Sequence, residues 1–270
     1  MCKKFVLLAL LALTLPIQAA ESVADKEKAN NPDKLKITPL LSQQRLFDQD
    51  LIKYQPESEI AWLGDKETRF LTLWSEQTSA KVIGTSWIFS DTYTSANNPN
   101  VIQTLRYQLN EKGLHTYSIS PLSQRIETEQ AEQRLLSQLT ILQDKIVSEK
   151  GKRLLITQGS NSVALVNVLT KNPAVHIDAI ILLGAYSASQ KGMVQLTEQI
   201  TQLPMPVLDL YHQLDSQIIV AGAHMRNTAA RRKHKLNYRQ AAVIGMPAQT
   251  ATQISTSQTV YGWLVTLGWY

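Results

Sequence analysis

Apolar positions recur along this chain in short runs separated by polar turns, and the spacing within each run predicts its element. "EIAWLG" and "RFLTLWSEQ" alternate like two strands of an antiparallel pair, with the turn at Gly64-Asp65. "KVIGTSWIFSD", Lys81 to Asp91, predicts a third strand, and "TYTSANNPN" after it a loop. "NVIQTLRYQLNEKG", Asn100 to Gly113, has the spacing of an amphipathic helix closed by a glycine stop. From there strands and helices alternate. "LHTYSIS" is a strand, "ETEQAEQRLLSQLTILQDKIVSEKG" a long helix, "KRLLITQ" a strand, and a helix begins at Asn161. "HIDAIILLGA" is a strand starting at His176, followed by a helix ending near Leu203 and the strand "PVLDLYHQ". "SQIIVAGAHMRNTAARRKHK" is a helix, "YRQAAVIG" the last strand and "TSQTVYGWLVTLGW" the final helix. Ahead of all these, Leu40 to Gln55 has helical spacing.

Three strands, then alternating helices and strands, predict an α/β fold with a mostly parallel, doubly wound, eight-stranded sheet and helices on both faces. Ligands of such sheets sit at the carboxyl ends of the strands. The loops to inspect therefore follow Phe89, Ile119, Gln158, Tyr211 and Ile244.

The N-terminus changes the picture of where this domain works. Residues 1–20, "MCKKFVLLALLALTLPIQAA", have two lysines, an apolar run from Phe5 to Leu13, then Pro16 and small residues. That layout is a secretory signal, too short to span a bilayer as a mature helix, with cleavage expected after Ala19 or Ala20. A periplasmic or secreted, soluble protein follows. Cys2 precedes the apolar run, which excludes a lipoprotein signal, and it is the chain's single cysteine. The mature chain then has no disulfide and no thiolate metal site. Residues 21–36 are charged and poor in large apolar side chains, so they read as a disordered leader. The fold proper occupies 37–270, without a transmembrane segment.

Losing Lys3 and Lys4, and no acid, lowers the formal charge from +5 to +3, too mild an excess to call for nucleic acid. "RNTAARRKHK", Arg226 to Lys235, is the one dense basic stretch. It reads first as a solvated helix end complementing the macrodipole, and second as a surface attracting an anionic envelope or an acidic partner. No metal-ligand spacing, phosphate loop or dinucleotide fingerprint occurs, so neither metal nor cofactor is expected.

The order of elements from Glu57 to Tyr270 resembles the α/β-hydrolase fold. "PMPVLDLYHQLD" looks like that family's sixth-strand phrase, and Asp215 falls on its acid position. "LRYQLNEKGLHTYSIS", a degenerate elbow, "PVLDLY", "YRQAAVIG" and a terminal "GWL" together resemble one branch. That branch is an exported bacterial family known only as a domain of unknown function related to α/β-hydrolases.

The resemblance implies a nucleophile elbow, G-x-S-x-G, between "KRLLITQ" and the helix after it, and a histidine beyond the last strand. The turn reads Gln158-Gly159-Ser160-Asn161-Ser162-Val163. One frame puts Asn161 at the reactive position, the other Ser160. Either residue also reads as a helix cap. None of the five histidines (His115, His176, His212, His224 and His234) follows the last strand. His212 lies three residues before Asp215, and Asp215 without a partner imidazole reads as the cap of the helix starting at Ser216. The loop "SDTYTSANNPN" lacks the glycine run that usually lends the oxyanion hole its backbone donors.

Two expectations result. The first is a hydrolase-like domain without a complete triad, binding an unidentified small molecule or envelope protein near Asp91, Ser160, Asn161 and Asp215. The second is an esterase with a displaced centre of Ser160, His212 and Asp215.

Overall fold

The computed structural model describes residues 43–121, 128–145 and 151–270, which fall within one compact unit, Leu40–Tyr270. The expected signal and leader lie outside the described residues, as do both ends of the predicted long helix.

Among the described residues eight strands form one sheet: β1 (Ile60–Leu63), β2 (Phe70–Ser75), β3 (Gly84–Phe89), β4 (Leu114–Ile119), β5 (Lys152–Gln158), β6 (Ala179–Leu183), β7 (Val207–His212) and β8 (Tyr238–Val243). Seven α-helices accompany them among the described residues: α1 (Gln43–Tyr54), α2 (Ile102–Glu111), α3 (Thr128–Lys145), α4 (Asn161–Lys171), α5 (Gln190–Gln202), α6 (Gln217–Arg232) and α7 (Thr250–Thr266). The strand order is β1-β2-β4-β3-β5-β6-β7-β8. β2 pairs antiparallel with both β1 and β4, and every other pairing is parallel.

Alternation along the strands divides the core. Trp87, Phe89, Leu155, Ile180 and Leu182 face one way, onto Leu135 and Leu139 of α3, Leu165 of α4 and Leu196 of α5. Ile88, Leu154, Ile156, Ile181 and Leu183 face the other, onto Ile102 and Leu105 of α2 and Trp263 and Leu264 of α7. A strand covered on both faces must be apolar at odd and even positions alike, which is why "LLI" and "AIILL" read as unbroken runs. The turn between β1 and β2 is built on Gly64, at φ +86°, and on Asp65 Oδ1, which accepts from the backbone N–H of Glu67 and Thr68. A bond from the Thr68 hydroxyl first, and then those backbone bonds, hold the Asp65 carboxyl below its usual range.

One charged pair is fully buried within this core. Arg226 of α6 donates from Nε to Asp209 Oδ2 at 2.7 Å and from Nη2 to Oδ1 at 2.9 Å, while the Tyr238 hydroxyl donates to Oδ2 at 2.6 Å. Asp209 sits mid-strand in β7, so this bidentate pair fastens α6 to the sheet.

Several boundaries differ from the sequence reading. The final helix starts at Thr250, six residues before the predicted "TSQ" start, because Thr252 and Gln253 find tertiary partners. Thr104 donates to Gln253 Oε1, and Thr252 donates to Ile244 O. His176 lies ahead of β6 rather than in it, exposed, and His234 stands just past the end of α6.

The connections after β3 and β5 leave in opposite directions, through α2 to β4 and through α4 to β6. The carboxyl ends of β3 and β5 therefore form a topological switch point, where open α/β sheets gather their ligand groups. Asp91 follows one of these ends and Gly159 the other.

Candidate active site

The turn after β5 is sharp because of Gly159, not because of either residue the two frames placed at the reactive position. Gly159 adopts φ +60°, whereas Ser160 is right-handed helical at φ −69°, ψ −25°. In a nucleophile elbow the strained residue displays the reactive side chain. Here that residue has no side chain, and there is no room for one. A Cβ built on Gly159 would overlap Cγ and both oxygens of Asp91.

The Asp91 carboxylate is held there by the chain's own donors. Asp91 Oδ1 accepts from Ser160 N–H at 2.9 Å, from Thr92 N–H at 2.8 Å and from the Ser160 hydroxyl at 2.8 Å. The residue after the elbow apex and the loop after the third strand are the two backbone sources of an α/β-hydrolase oxyanion hole. Both backbone N–H groups are present here without the glycine run that usually accompanies them, and both converge on Asp91 Oδ1.

Capping is likewise redistributed. Ser160 is the N-cap residue of α4, but its side chain makes no capping bond. Nor does Asn161, whose amide donates to Ser90 O. The Asp91 carboxylate performs that task from the loop after β3, placing an anion at the positive end of the helix. Thr92 Oγ1 lies 2.6 Å from Ser160 Oγ. Tyr186 faces the same pair. Burial first, and the charge of Asp91 second, push its phenol above the usual value, and contact with Ser160 offsets part of that. Thr92, Tyr186 and Gly159 are site residues that the sequence reading did not assign. Thr92 adjoins Asp91, but nothing in the sequence marks Tyr186.

His212 and Asp215 form a separate pair at the end of β7. Asp215 Oδ2 accepts the His212 backbone N–H at 2.8 Å and lies 3.4 Å from Nδ1 of the ring. The carboxylate thus closes its own turn instead of capping α6, whose N-cap is Ser216 without a side-chain capping bond. The other ring nitrogen, Nε2, lies 3.2 Å from Thr256 Oγ1 of α7. In a triad Nε2 takes the serine proton, whereas here it faces a helix. Ser160 Oγ, meanwhile, donates to Asp91.

Asp91, Gly159, Tyr186, His212, Asp215 and Pro247 border one crevice of about 90 Å³. The switch region thus brings together Asp91, His212 and Asp215 of the sequence-assigned residues, while Ser160 and Asn161 do not border the crevice and bond instead to Asp91 and Ser90 O. At about 30 Å³ per water, the space admits a small group rather than a whole substrate. A larger hollow of about 600 Å³ lies between α5 and α6, away from the strand ends. Among the described residues, no group of three or more His, Cys, Asp or Glu side chains is arranged to hold a metal ion, and no helix is long and apolar enough to cross a membrane.

Known structures share this framework. Est1E from Butyrivibrio proteoclasticus superposes with a TM-score of 0.58 at 10% identity, over 77% of this chain and 98% of that one. A dienelactone hydrolase from Anabaena variabilis gives 0.59 at 13%, over 77% and 96%. An alpha-beta serine hydrolase homologue from Coxiella burnetii gives 0.58 at 12%, over 76% and 97%. These likenesses establish an α/β-hydrolase fold. No curated protein matches in sequence. The family model described as "Protein of unknown function (DUF3530)" matches residues 2–138 and 122–266, and the chain belongs to that family.

Proposed function

We propose that this protein is an exported α/β-hydrolase-like domain without a complete Ser-His-Asp triad, acting as a binding or interaction module of the cell envelope. The observation that carries this reading is the position of Asp91. Its carboxylate lies where a nucleophile's side chain would stand on residue 159, and it takes both backbone donors that would stabilise a developing oxyanion. Loss of one such donor costs an acyl-transfer enzyme about 10²–10³ in rate. Here two are occupied, and a negative oxygen arriving beside them meets a negative charge. Export rests on the signal-like residues 1–20.

An esterase built on Ser160, His212 and Asp215 needs the imidazole to receive the Ser160 proton. The hydrogen bonds of both residues run elsewhere. Turnover of short-chain nitrophenyl esters and labelling by a fluorophosphonate probe test the proposal directly. Neither is expected above background. Hydrolysis that is abolished by Ser160→Ala and spared by Asn161→Ala would overturn it.

A further inference from the structure

The net positive charge of this chain arises in its C-terminal part. The sequence has 27 Lys and Arg against 22 Asp and Glu, yet beyond Asp215 there are six cations and not one acid. Two of the six are committed inside the fold. Arg226 is buried against Asp209, and Lys235 Nζ donates to Leu203 O and Asn237 Oδ1. The remaining four, Arg231, Arg232, Lys233 and Arg239, are exposed, and among the described residues none forms an ion pair with a carboxylate.

Between them stands Leu236, 97% exposed. This is a built display. His234 takes φ +51° to reverse the chain, and Lys235 N–H closes back on Ala230 O at 3.0 Å. On either side of Leu236, Lys235 and Asn237 are tied to the loop between α5 and β7, the latter by its amide on Pro204 O at 2.8 Å. The backbone that projects Leu236 is therefore fixed before any partner arrives. Beside it, Arg231 and Arg239 flank a concavity of about 500 Å³.

The helix macrodipole accounts for cations in the last turn of α6, Arg231 and Arg232. A charge on edge strand β8 discourages strand addition, which accounts for Arg239. Lys233, the C-cap of α6, falls under the first account as well, and it borders a separate hollow with Arg232 and Glu198. Neither accounts for a wholly exposed leucine that shares a concavity with Arg231 and Arg239. We propose that the α6–β8 corner docks this protein on an anionic phospholipid bilayer. Arg231, Arg232, Lys233 and Arg239 engage lipid phosphates, and Leu236 enters the headgroup–acyl boundary. A fluid boundary accepts an isolated apolar side chain without a matching pocket, and its surface potential rewards each nearby cation. An acidic protein would meet the charges but would need a pocket shaped for Leu236.

The test is co-sedimentation of the full chain with phosphatidylcholine vesicles, with and without phosphatidylglycerol. Residues 1–20 are present in every sample, so only differences between variants count. Replacing Arg231, Arg232 and Lys233 together by Gln is expected to remove on the order of a hundredfold of the binding gained from phosphatidylglycerol. Leu236→Ser is expected to weaken binding roughly tenfold. A second reading comes from bimane on Leu236→Cys in a Cys2→Ser background, which is expected to be quenched by doxyl-labelled lipid in the anionic vesicles. Absence of quenching, or equal binding by parent and variants, overturns the proposal. Binding to polyglutamate without vesicle binding would overturn it in favour of an acidic protein, and full displacement by millimolar inorganic phosphate in favour of a simple ion site.

Discussion

The Asp91 carboxylate and Gly159 share one volume: the space that a side chain on residue 159 would need is the space the carboxylate fills. Each requires the other. Gly159→Ser must adopt a left-handed conformation, costing about 1–2 kcal/mol, and must also displace the carboxylate. We expect a total loss of about 2–4 kcal/mol in urea denaturation. Asp91→Ala in the same chain frees that volume, so the double variant should lose at least about 1 kcal/mol less than the sum of the singles. Strict additivity would show that the two residues do not compete for space.

Asp91 itself is expected to be a stabilising residue. Three donors converge on its Oδ1, and charged acceptors are worth about 1.5–3 kcal/mol in such settings. Asp91→Ala should therefore cost about 2–3 kcal/mol. Asp91→Asn, which keeps an oxygen acceptor in place, should cost about 1 kcal/mol. Asp91→Ala also leaves the Ser160 N–H at the N-terminus of α4, and the Thr92 N–H of the loop after β3, without their anion. Its melting temperature should rise with added acetate or formate, while the parent's does not. An equal response in both proteins would show that the two donors do not form an anion hole.

The fold was legible because strands covered on both faces carry a distinctive signal. "KRLLITQ" and "AIILL" cannot be amphipathic, and "IQTLRYQLNE" cannot be anything else. The site was legible only by place. Asp91 and Asp215 were assigned because they follow β3 and β7, but what each carboxylate does depends on distant partners. The bond from Ser160 N–H to Asp91 spans 69 residues of sequence. Serine and asparagine after a strand read as caps by composition, and a carboxylate from the loop after β3 took that role. The apex was misplaced for a related reason: the two frames differ by one residue, and only φ at Gly159 distinguishes which position is strained. The early start of α7 escaped notice because threonine and glutamine have modest helix propensity, and their tertiary hydrogen bonds are invisible locally.

The buried pair on β7 should be costly to break from either side. Burial lowers the tendency of Arg226 to hold its proton, but Asp209 outweighs it and leaves the guanidinium above its usual value. Arg226→Met would leave Asp209 inside the fold with only Tyr238 and Gln240 as donors. A buried charge stripped of its partner costs about 3–5 kcal/mol. We expect a loss near 3 kcal/mol, because those two donors remain. A change under about 1 kcal/mol in urea unfolding would mean that the pair contributes little to fastening α6.

Asp48 of α1 presents the opposite case, a carboxyl the fold tolerates at a cost. Burial pushes it above its ordinary value of 3.8, and the Ser120 hydroxyl beside it relieves only part of the effect. Neither Asp48 Oδ1 nor Ser120 Oγ has a hydrogen-bond partner of normal geometry. The folded chain then binds this proton more tightly than the unfolded chain does. The group's contribution is most favourable below its unfolded pKa, and it declines as pH rises to the raised folded value. Above that value the ionised carboxyl is a constant penalty. Asp48→Asn removes it, so the variant should be more stable than the parent at pH 7. The gain should be under about 1 kcal/mol, since part of the side chain stays in water. At pH 3 both side chains are uncharged and the difference should vanish. Urea midpoints of parent and variant at the two pH values decide this: a gain of equal size at both would assign the effect to packing rather than charge.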